Sequence, residues 1–354
     1  MAYTVIDDAG LFFNTKLYAG NGSTQDIGGI GFQPDWVWIK NRDQADDNAI
    51  TDSVRGVTKQ LETNSADNDG TESTNADGLT AFGSDGFSVG DDVIYNTNAE
   101  NYVSWNWKAG TSFTNDASST GVGSIDSAGS VSTTSGFSII GYTGTGSNGT
   151  VAHGLGVAPS MIIFKNRSTD NNWNVFHKTL GNGKFIRLND TGAEGNTGRF
   201  NSTSPTSSVF SLGVNGATAV NGDGNSIIAY CFADVKGYSK FGSYVGNGNA
   251  DGPFIYLGFK PAWILFKRAS DGTNNWGIID NKRDTFNPVT QQLHSNLNNA
   301  EGTTSGNGCG DFLSNGWKIG VTSASRNASG ATFIFMAFAE NPFVTSTGIP
   351  GTAR

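Results

Sequence analysis

One pattern occurs three times along the chain and limits the folds open to it. The stretches GFQPDWVWIKNR (31–42), GVAPSMIIFKNR (156–167) and GFKPAWILFKRA (258–269) each place a lysine six residues after a proline. A tyrosine and a glycine-rich turn come before each proline, as YAGNG, YTGTG and YVGNG, and two further landmarks follow it. These are GFSVG, VFSLG and GWKIG, and then the aromatic runs YVSWNW, IIAYCFA and FIFMAFA. Landmarks in a fixed order indicate internal repetition, with a unit of roughly 100 residues.

A unit of this size can form a complete small domain and is longer than a solenoid repeat. The chain has 49 glycines and only 15% charged residues, a composition typical of short strands joined by many turns. We therefore predict an all-β fold of three tandem β-sandwich modules, jelly-roll-like and each able to fold alone. The expected divisions are modules at 1–110, 136–236 and 237–345, a Ser/Thr/Gly-rich linker or arm at 111–135, and a tail at 346–354.

The two tryptophans of DWVWIK could form a ring surface for a sugar or a base, or part of a core strand. Across the three copies the corresponding pairs are Trp36 and Trp38, Met161 and Ile163, and Trp263 and Leu265. Bulk is kept but aromaticity is not, which favours a core strand, because stacking needs the ring and a core needs only volume. The consecutive apolar residues predict burial on both faces of this strand.

Other features of the sequence narrow its class. Helix should be scarce, with the best candidates at 52–64 and at 280–296, where Pro288 interrupts the pattern. Cys231 and Cys309 are too few for a disulfide framework and are expected to be buried small apolar residues. A net charge of −9 argues against nucleic acid as a partner. The N-terminus lacks the features of a signal peptide and no long apolar run occurs, so we expect neither general secretion nor membrane insertion.

The sequence offers little for catalysis. A nucleophilic triad needs a histidine, and the chain has only His153, His177 and His294. His177 lies four residues after Trp173, at a position where the other copies carry Asp52 and Asp280. A catalytic base would not be exchanged in this way, and the copies share no acidic pair apart from this position. We therefore predict that the protein is not an enzyme.

Three acidic, glycine-containing stretches could supply oxygen ligands for Ca²⁺. They are NADGLTAFGSDG from Asn75, SADNDGTE from Ser65 and NGDGN from Asn221. None has the complete spaced loop with a terminal bidentate glutamate, and Asp-Gly or Asn-Gly clusters are ordinary turn chemistry. We expect no cofactor, with Ca²⁺ as the alternative.

Four residues are candidates for ligand binding. Arg55 and Arg283 each follow an aspartate by three residues, Asp52 and Asp280, which favours a local ion pair that fixes a loop, with a recognition site as the alternative. Trp173 and Trp276 lie outside the core strand and are expected to be exposed, where they could contact a glycan.

The long motifs carry a resemblance over nearly the whole chain. With FQPDWVWIKNR, HGLGVAPSMIIFKNR, IIAYCFADVKGYSKFGSYVGNG and DGPFIYLGFKPAWILFKR in view, the sequence resembles the repeat-module virion structural proteins of marine tailed bacteriophages, which are decoration or tail-fibre-like proteins. The first copy departs from the pattern, since it lacks the tryptophan of NNW before Asp52. The resemblance implies a structural role and supplies no catalytic residues.

Together these features predict a non-enzymatic protein of the virion surface, either a head decoration or a tail-associated protein, that acts through protein–protein contacts. The expected partners are other virion proteins and further copies in a homo-oligomer. The alternative is a tail-fibre-type host adhesin that binds cell-surface glycans; a polysaccharide depolymerase is disfavoured because the copies share no acid pair. We expect 111–135 and both termini to bridge to other chains and to become ordered on assembly.

Overall fold

A computed structural model describes residues 3–65, 72–214, 218–304 and 308–351. The predicted all-β class is confirmed: strands dominate, and the α-helices of the described ranges are single turns of four residues. The two helix candidates were wrong, because 52–64 and 280–296 contain turns and short strands instead. Within the described residues, no helix has the length and apolar character that crossing a membrane requires.

The first module begins with a 3-10 turn at Ala9–Leu11 and contains nine strands and one helical turn among its described residues. In chain order these are β1 (Phe13–Ala19), β2 (Gln25–Gly28), β3 (Trp36–Asn41), β4 (Ala49–Asp52), β5 (Lys59–Glu62), β6 (Ser73–Thr74), β7 (Leu79–Gly83), β8 (Gly86–Val89), α1 (Val93–Asn96) and β9 (Asn101–Trp107).

The middle of the chain follows the same plan with two added strands at its start. Its elements are β10 (Thr111–Asn115), α2 (Ala117–Thr120), β11 (Ser127–Ser132), β12 (Phe137–Thr143), β13 (Gly149–Ala152), β14 (Met161–Asn166), β15 (Asn174–His177), β16 (Lys184–Arg187), β17 (Gly195–Asn196), β18 (Val209–Leu212), α3 (Thr218–Asn221) and β19 (Ser226–Phe232).

The third module completes the chain. Its elements are β20 (Ser239–Val245), β21 (Phe254–Tyr256), β22 (Phe259–Arg268), β23 (Gly277–Asp280), β24 (Gln291–Gln292), β25 (Gly302–Thr303), β26 (Asp311–Leu313), β27 (Gly316–Lys318), α4 (Ala324–Asn327) and β28 (Thr332–Pro342).

The large sheets of the three modules share one strand order. β1-β9-β3-β4 in the first module corresponds to β12-β19-β14-β15 in the second and β20-β28-β22-β23 in the third. Smaller sheets, β2-β8-β7, β13-β18 and β21-β27-β26, accompany them. In the first module Ile27 and Phe87 of the small sheet pack with Val37 and Ile39 of the large sheet in one apolar cluster, as in a β-sandwich.

The segment 111–135 differs from the expected linker or arm. Its strands β10 and β11 pair with each other, and β11 pairs with β12, so that they extend the large sheet of the second module to eight strands. This segment is therefore ordered within its own chain, against the expectation that it orders only on assembly. The linker was predicted from the small polar residues of this segment. Strands near the edge of a sheet can also carry such residues where one face is solvated.

The other faces of the large sheets meet in a single shared core. Its members from the three modules include Trp36, Trp105, Trp107, Tyr230, Phe232, Trp263 and Phe338. Ring centroids are 4.8 Å apart for Trp36 and Tyr230 and 5.4 Å apart for Trp107 and Trp263, and Phe232 lies 6.1 Å from Phe338. All six residues of β3 are buried, as predicted. This packing differs from the expectation that each module folds alone, since one face of every large sheet is covered only by its neighbours.

The described ends of the chain lie close together where the second module meets the third. The hydroxyl of Tyr3 donates to the carbonyl of Gly258 over 2.8 Å, and the hydroxyl of Thr4 donates to the carbonyl of Lys236 over 2.9 Å. Near the other end, the backbone N–H of Ser346 donates to the carboxylate of Asp7 over 2.6 Å. Residues 3–8 therefore dock within their own chain, whereas the expectation was a bridge to other chains.

Candidate functional site

The two tryptophans predicted to be exposed are buried at contacts between modules. Trp173 is 0% exposed and Trp276 is 1% exposed. The indole N–H of Trp173 donates to the carbonyl of Glu62 in the first module over 2.8 Å, and that of Trp276 donates to the carbonyl of Arg187 in the second over 2.7 Å. The prediction of an exposed glycan contact at these residues was wrong, because the neighbouring module covers the loop that carries each ring.

Asn48 takes the same role in the first module, which lacks this tryptophan. Its side-chain amide donates to the carbonyls of His294 over 3.2 Å and Leu297 over 2.9 Å, both in the third module. The hydrogen bonds of these three side chains run from the second module to the first (Trp173), from the third to the second (Trp276), and from the first to the third (Asn48). The modules therefore form a closed ring of contacts in which every pair meets.

Arg55 lies at the contact between the first and second modules. Its Nε donates to the carboxylate of Asp52 over 2.5 Å, and both side chains are fully buried. The same Asp52 oxygen accepts the hydroxyl of Tyr230 from the second module over 2.7 Å. Arg55 also pairs with Glu72, which in turn pairs with Arg167 of the second module over 2.8 Å.

Arg283 repeats this arrangement between the third and first modules. Its Nε lies 2.6 Å from the carboxylate of Asp280, which accepts the indole N–H of Trp105 over 3.1 Å. Arg283 also pairs with Glu301 over 2.8 Å, and Glu301 pairs with Arg42 of the first module over 2.7 Å. Both arginines are thus occupied by internal partners, which favours the loop-fixing alternative over a recognition site.

The electrostatics agree with a fixed network. Burial alone would lower the pKa of Arg55, but the neighbouring Asp52, Tyr230 and Glu72 together outweigh it and the pKa is raised. The pKa of Arg283 is also raised, because Asp280 and Glu301 together outweigh the effect of burial. For Glu72, burial would raise the pKa, yet the guanidinium groups of Arg167 and Arg55 hold it below its usual value. Each charge is therefore retained in the interior by a specific partner.

In the third contact, between the second and third modules, the described residues form no buried charge pair. His177 stands where the other modules have Asp52 and Asp280, and Leu180 stands where they have arginine. Strand register shows that Met336 is the equivalent of Tyr230 and Trp105, the residues that donate to the aspartates of the other two contacts. The three residues lie opposite Leu265, Ile163 and Trp38, respectively. Because methionine has no polar hydrogen to donate, a carboxylate would lose its partner here. His177 Nε2 instead bonds to the carbonyl of Phe335 over 3.2 Å.

This histidine predicts an acid-sensitive contact. Burial lowers the pKa of His177 to about 4, although the Phe335 carbonyl opposes the shift, and an unfolded histidine titrates near pH 6.5. As the pH falls from 6.5 towards 4, only the unfolded chain binds the proton, so stability falls with pH. We expect His177 to contribute a loss of about 2 kcal/mol between pH 7 and pH 5.

Urea unfolding at several pH values measures this contribution. His177→Gln, whose amide can still donate to the Phe335 carbonyl, should reduce the slope of stability against pH. Lys184→Gln, in the same module, whose side chain is 39% exposed and whose charge does not act on His177, should leave the slope unchanged. An unaltered slope in His177→Gln would show that another group is responsible.

The repeated lysine has a structural role in each module. Lys40, Lys165 and Lys267 are all 0% exposed, and each ammonium donates to a backbone carbonyl in the loop that follows its strand. Burial lowers the pKa of each to about 8. The sequence pattern located these residues, but only the structure shows that they hold loops.

The calcium candidates act as turns where the structure describes them. The side chain of Asp85 accepts the backbone N–H groups of Gly29 and Gly31, and that of Asn221 accepts the N–H of Thr145. Most of SADNDGTE, residues 66–71, lies outside the described residues. Among the described residues, no group of three or more His, Cys, Asp or Glu side chains is placed to hold a metal ion. The cysteine prediction is confirmed, since Cys231 and Cys309 are free and buried.

Sequence reasoning did not single out Arg326. This residue lies in α4 and lines a polar pocket of about 260 Å³ in the third module, together with His294, Asn274 and Ser325. The signal available in the sequence was its position: the residue before the last asparagine of each short helix is Tyr95 in the first module, Val220 in the second and Arg326 in the third.

Comparison with known sequences adds one family. A family model described as a domain of unknown function (DUF7483) matches residues 8–342. No curated protein matches the chain. The match spans all three modules and thus the contacts described above.

Proposed function

The chain belongs to the DUF7483 family, and we propose that it is a non-enzymatic structural protein of a bacteriophage virion surface, acting through protein–protein contacts. The observation that carries this proposal is the shared core, which joins the three modules into one unit. His153, His177 and the two arginines, which could have marked a chemical site, are buried and hold the modules and their loops in place. A protein whose buried polar groups bond to one another between modules, and not to a substrate, is suited to a structural role in a particle.

An exposed strand of the third module is the surface we propose for contact with another chain. β21 is an edge strand, and its outward side chains, Phe254 and Tyr256, are 45% and 49% exposed. Strand register aligns these positions with Asp26 and Gly28 in the first module and with Thr150 and Ala152 in the second. Aromatic side chains here are therefore specific to the third module, and exposed edges with apolar side chains pair readily with another strand.

The second module supports this assignment, because its equivalent edge is covered by the chain itself. The backbone N–H groups of Ser124 and Ile125 donate to the carbonyl of Thr150 on β13 over 2.9 and 3.1 Å. An extended segment of a neighbouring protein, such as a second copy, would cover β21 in the same manner.

Cryo-electron microscopy of intact phage particles tests the proposal. We expect the chain on the particle, with β21 against a neighbouring chain, and we expect Phe254→Ser with Tyr256→Ser to reduce its incorporation. Asp26→Ser, the equivalent exposed position of the first module, is the control and should incorporate normally. Density spread over the head would indicate decoration, and density confined to the tail would indicate tail association. Absence of the chain from particles would overturn the proposal.

Host-glycan binding remains a second candidate. Trp173 and Trp276 cannot provide its site, because both rings are buried between modules. The observation that favours this function is the polar pocket around Arg326.

A further inference from the structure

Arg326 is the feature of this molecule that its own fold does not explain. The residue is 9% exposed, and its guanidinium donates to the side-chain oxygen of Gln292. It forms no ion pair with any residue in the described ranges, and its Nε has no hydrogen-bond partner there. Arg55 and Arg283, which are buried to the same degree, each have an aspartate and a glutamate. A buried cation without a counter-charge is costly.

The other two modules show that the fold does not need this arginine. The asparagines that end the short helices, Asn96, Asn221 and Asn327, each accept a backbone N–H from the glycine-rich turn of their module over 2.8–2.9 Å. Because the three asparagines make the same hydrogen bond, the residues that precede them occupy equivalent positions in the three modules. Tyr95 and Val220 occupy that position in the first and second modules and are buried as apolar packing.

The lining of the pocket suits a ligand that carries hydroxyl groups as well as a negative charge. Asn274, Asn275, Thr303 and Ser325 supply amide and hydroxyl groups around Arg326. His294 Nδ1 lies 2.6 Å from the carbonyl of Trp276, so Nδ1 carries the proton and Nε2 of the neutral ring accepts. Burial lowers the pKa of His294, the Trp276 carbonyl opposes this, and the charges of Arg326 and Arg283 lower it further.

We infer that this pocket binds the carboxylate of an acidic sugar, with Arg326 as the counter-charge and the surrounding amides and hydroxyls as partners of the sugar hydroxyls. A guanidinium pairs with a carboxylate through two parallel hydrogen bonds, which gives both energy and orientation. The volume of about 260 Å³ lies below the range of roughly 300–1,000 Å³ that drug-sized ligands occupy, so a single sugar unit is the expected occupant. The inference deepens the second candidate function and rests on it, but it does not require a location on the virion.

Calorimetric titration of the full chain with glucuronate, glucose and inorganic sulfate at neutral pH tests the inference. We expect glucuronate to bind, and glucose and sulfate to bind at least roughly ten-fold more weakly. Glucose has no carboxylate to pair with Arg326, and sulfate has no sugar hydroxyls for the surrounding amide and hydroxyl groups. Arg326→Gln should weaken glucuronate binding by roughly ten- to one-hundred-fold. Arg199→Gln is the matched control: Arg199 also forms no ion pair in the described ranges, lies 3.8 Å from the ring centre of Phe185, and is outside the pocket.

Several results would overturn the inference. They are no glucuronate binding, equal binding of glucose, sulfate binding as tight as that of glucuronate, or unchanged affinity in Arg326→Gln. If Arg326→Gln fails to fold, Arg326→Val places at this position the residue that the second module already carries and should fold without binding. Failure of all these titrations would leave the localisation experiment untouched, so the two proposals are judged separately.

Discussion

Replacing Trp107 with alanine should lower the free energy of unfolding of the whole chain by about 3–5 kcal/mol. Trp107 is 0% exposed, and its ring centroid lies 4.4 Å from that of Trp36, 5.4 Å from that of Trp263 and 5.6 Å from that of Phe338. The first of these neighbours is in its own module and the other two are in the third. A cavity at this point removes contacts from more than one module, so the effect should not stay local.

Urea unfolding followed by tryptophan fluorescence and by far-ultraviolet circular dichroism measures this loss. In the unaltered chain we expect both signals to report one transition, because the modules share their core. The whole transition should move to lower urea in Trp107→Ala. Val93→Ala, at a site that is 59% exposed, should change stability by less than about 0.5 kcal/mol. Separate transitions, of which Trp107→Ala moves only one, would show that the modules unfold independently.

Removing Arg55 should be equally damaging for a different reason. Arg55→Leu leaves the carboxylate of Asp52 in the interior with no cation beside it, and we expect a loss of about 3–5 kcal/mol. The hydroxyl of Tyr230 and the backbone N–H groups of residues 54 and 55 still donate to Asp52, but neutral donors do not replace a guanidinium. The contact between the first and second modules should therefore weaken.

A double variant separates the charge from the packing. Asp52→Asn added to Arg55→Leu removes the stranded charge and keeps a polar partner for Tyr230, so it should recover most of the lost stability. Arg187→Leu is the control on a solvent-exposed pair, with Asp190 at 3.0 Å, and should cost at most about 1 kcal/mol. If the double variant were no more stable than Arg55→Leu, the loss would come from packing and not from the unpaired carboxylate.

Several elements of the fold could be predicted because they depend on local sequence. The strand at Trp36–Asn41 was recognisable from consecutive apolar residues. Both of its faces are buried because Trp36 and Trp38 lie in the shared core, while Val37 and Ile39 lie in the cluster of the first module. The exchange of Trp36 for Met161 between copies identified a core position. In each case volume and periodicity alone carry the information.

The candidate site could not be predicted in this way. Trp173 and Trp276 lie outside the repeated core strand, and nothing in their own neighbourhood indicates that another module covers them. The exchange of aspartate for His177 was visible in the sequence, but its reason is Met336 in a different module. Arg326 differs from the other buried arginines in its lack of an acidic partner among the described residues, which depends on tertiary contacts and not on local sequence.

By itself, the sequence determined the all-β class, the buried strand of each copy and the repeated order of its landmarks along the chain, since these depend on side-chain volume, turn residues and periodicity over short distances. The tertiary structure decided that the modules share one core and that 111–135 joins a sheet. It also decided which polar groups form hydrogen bonds and ion pairs between modules. Those outcomes depend on which surfaces meet across hundreds of residues. Burial between modules is a property of the pair, and no single repeat encodes it.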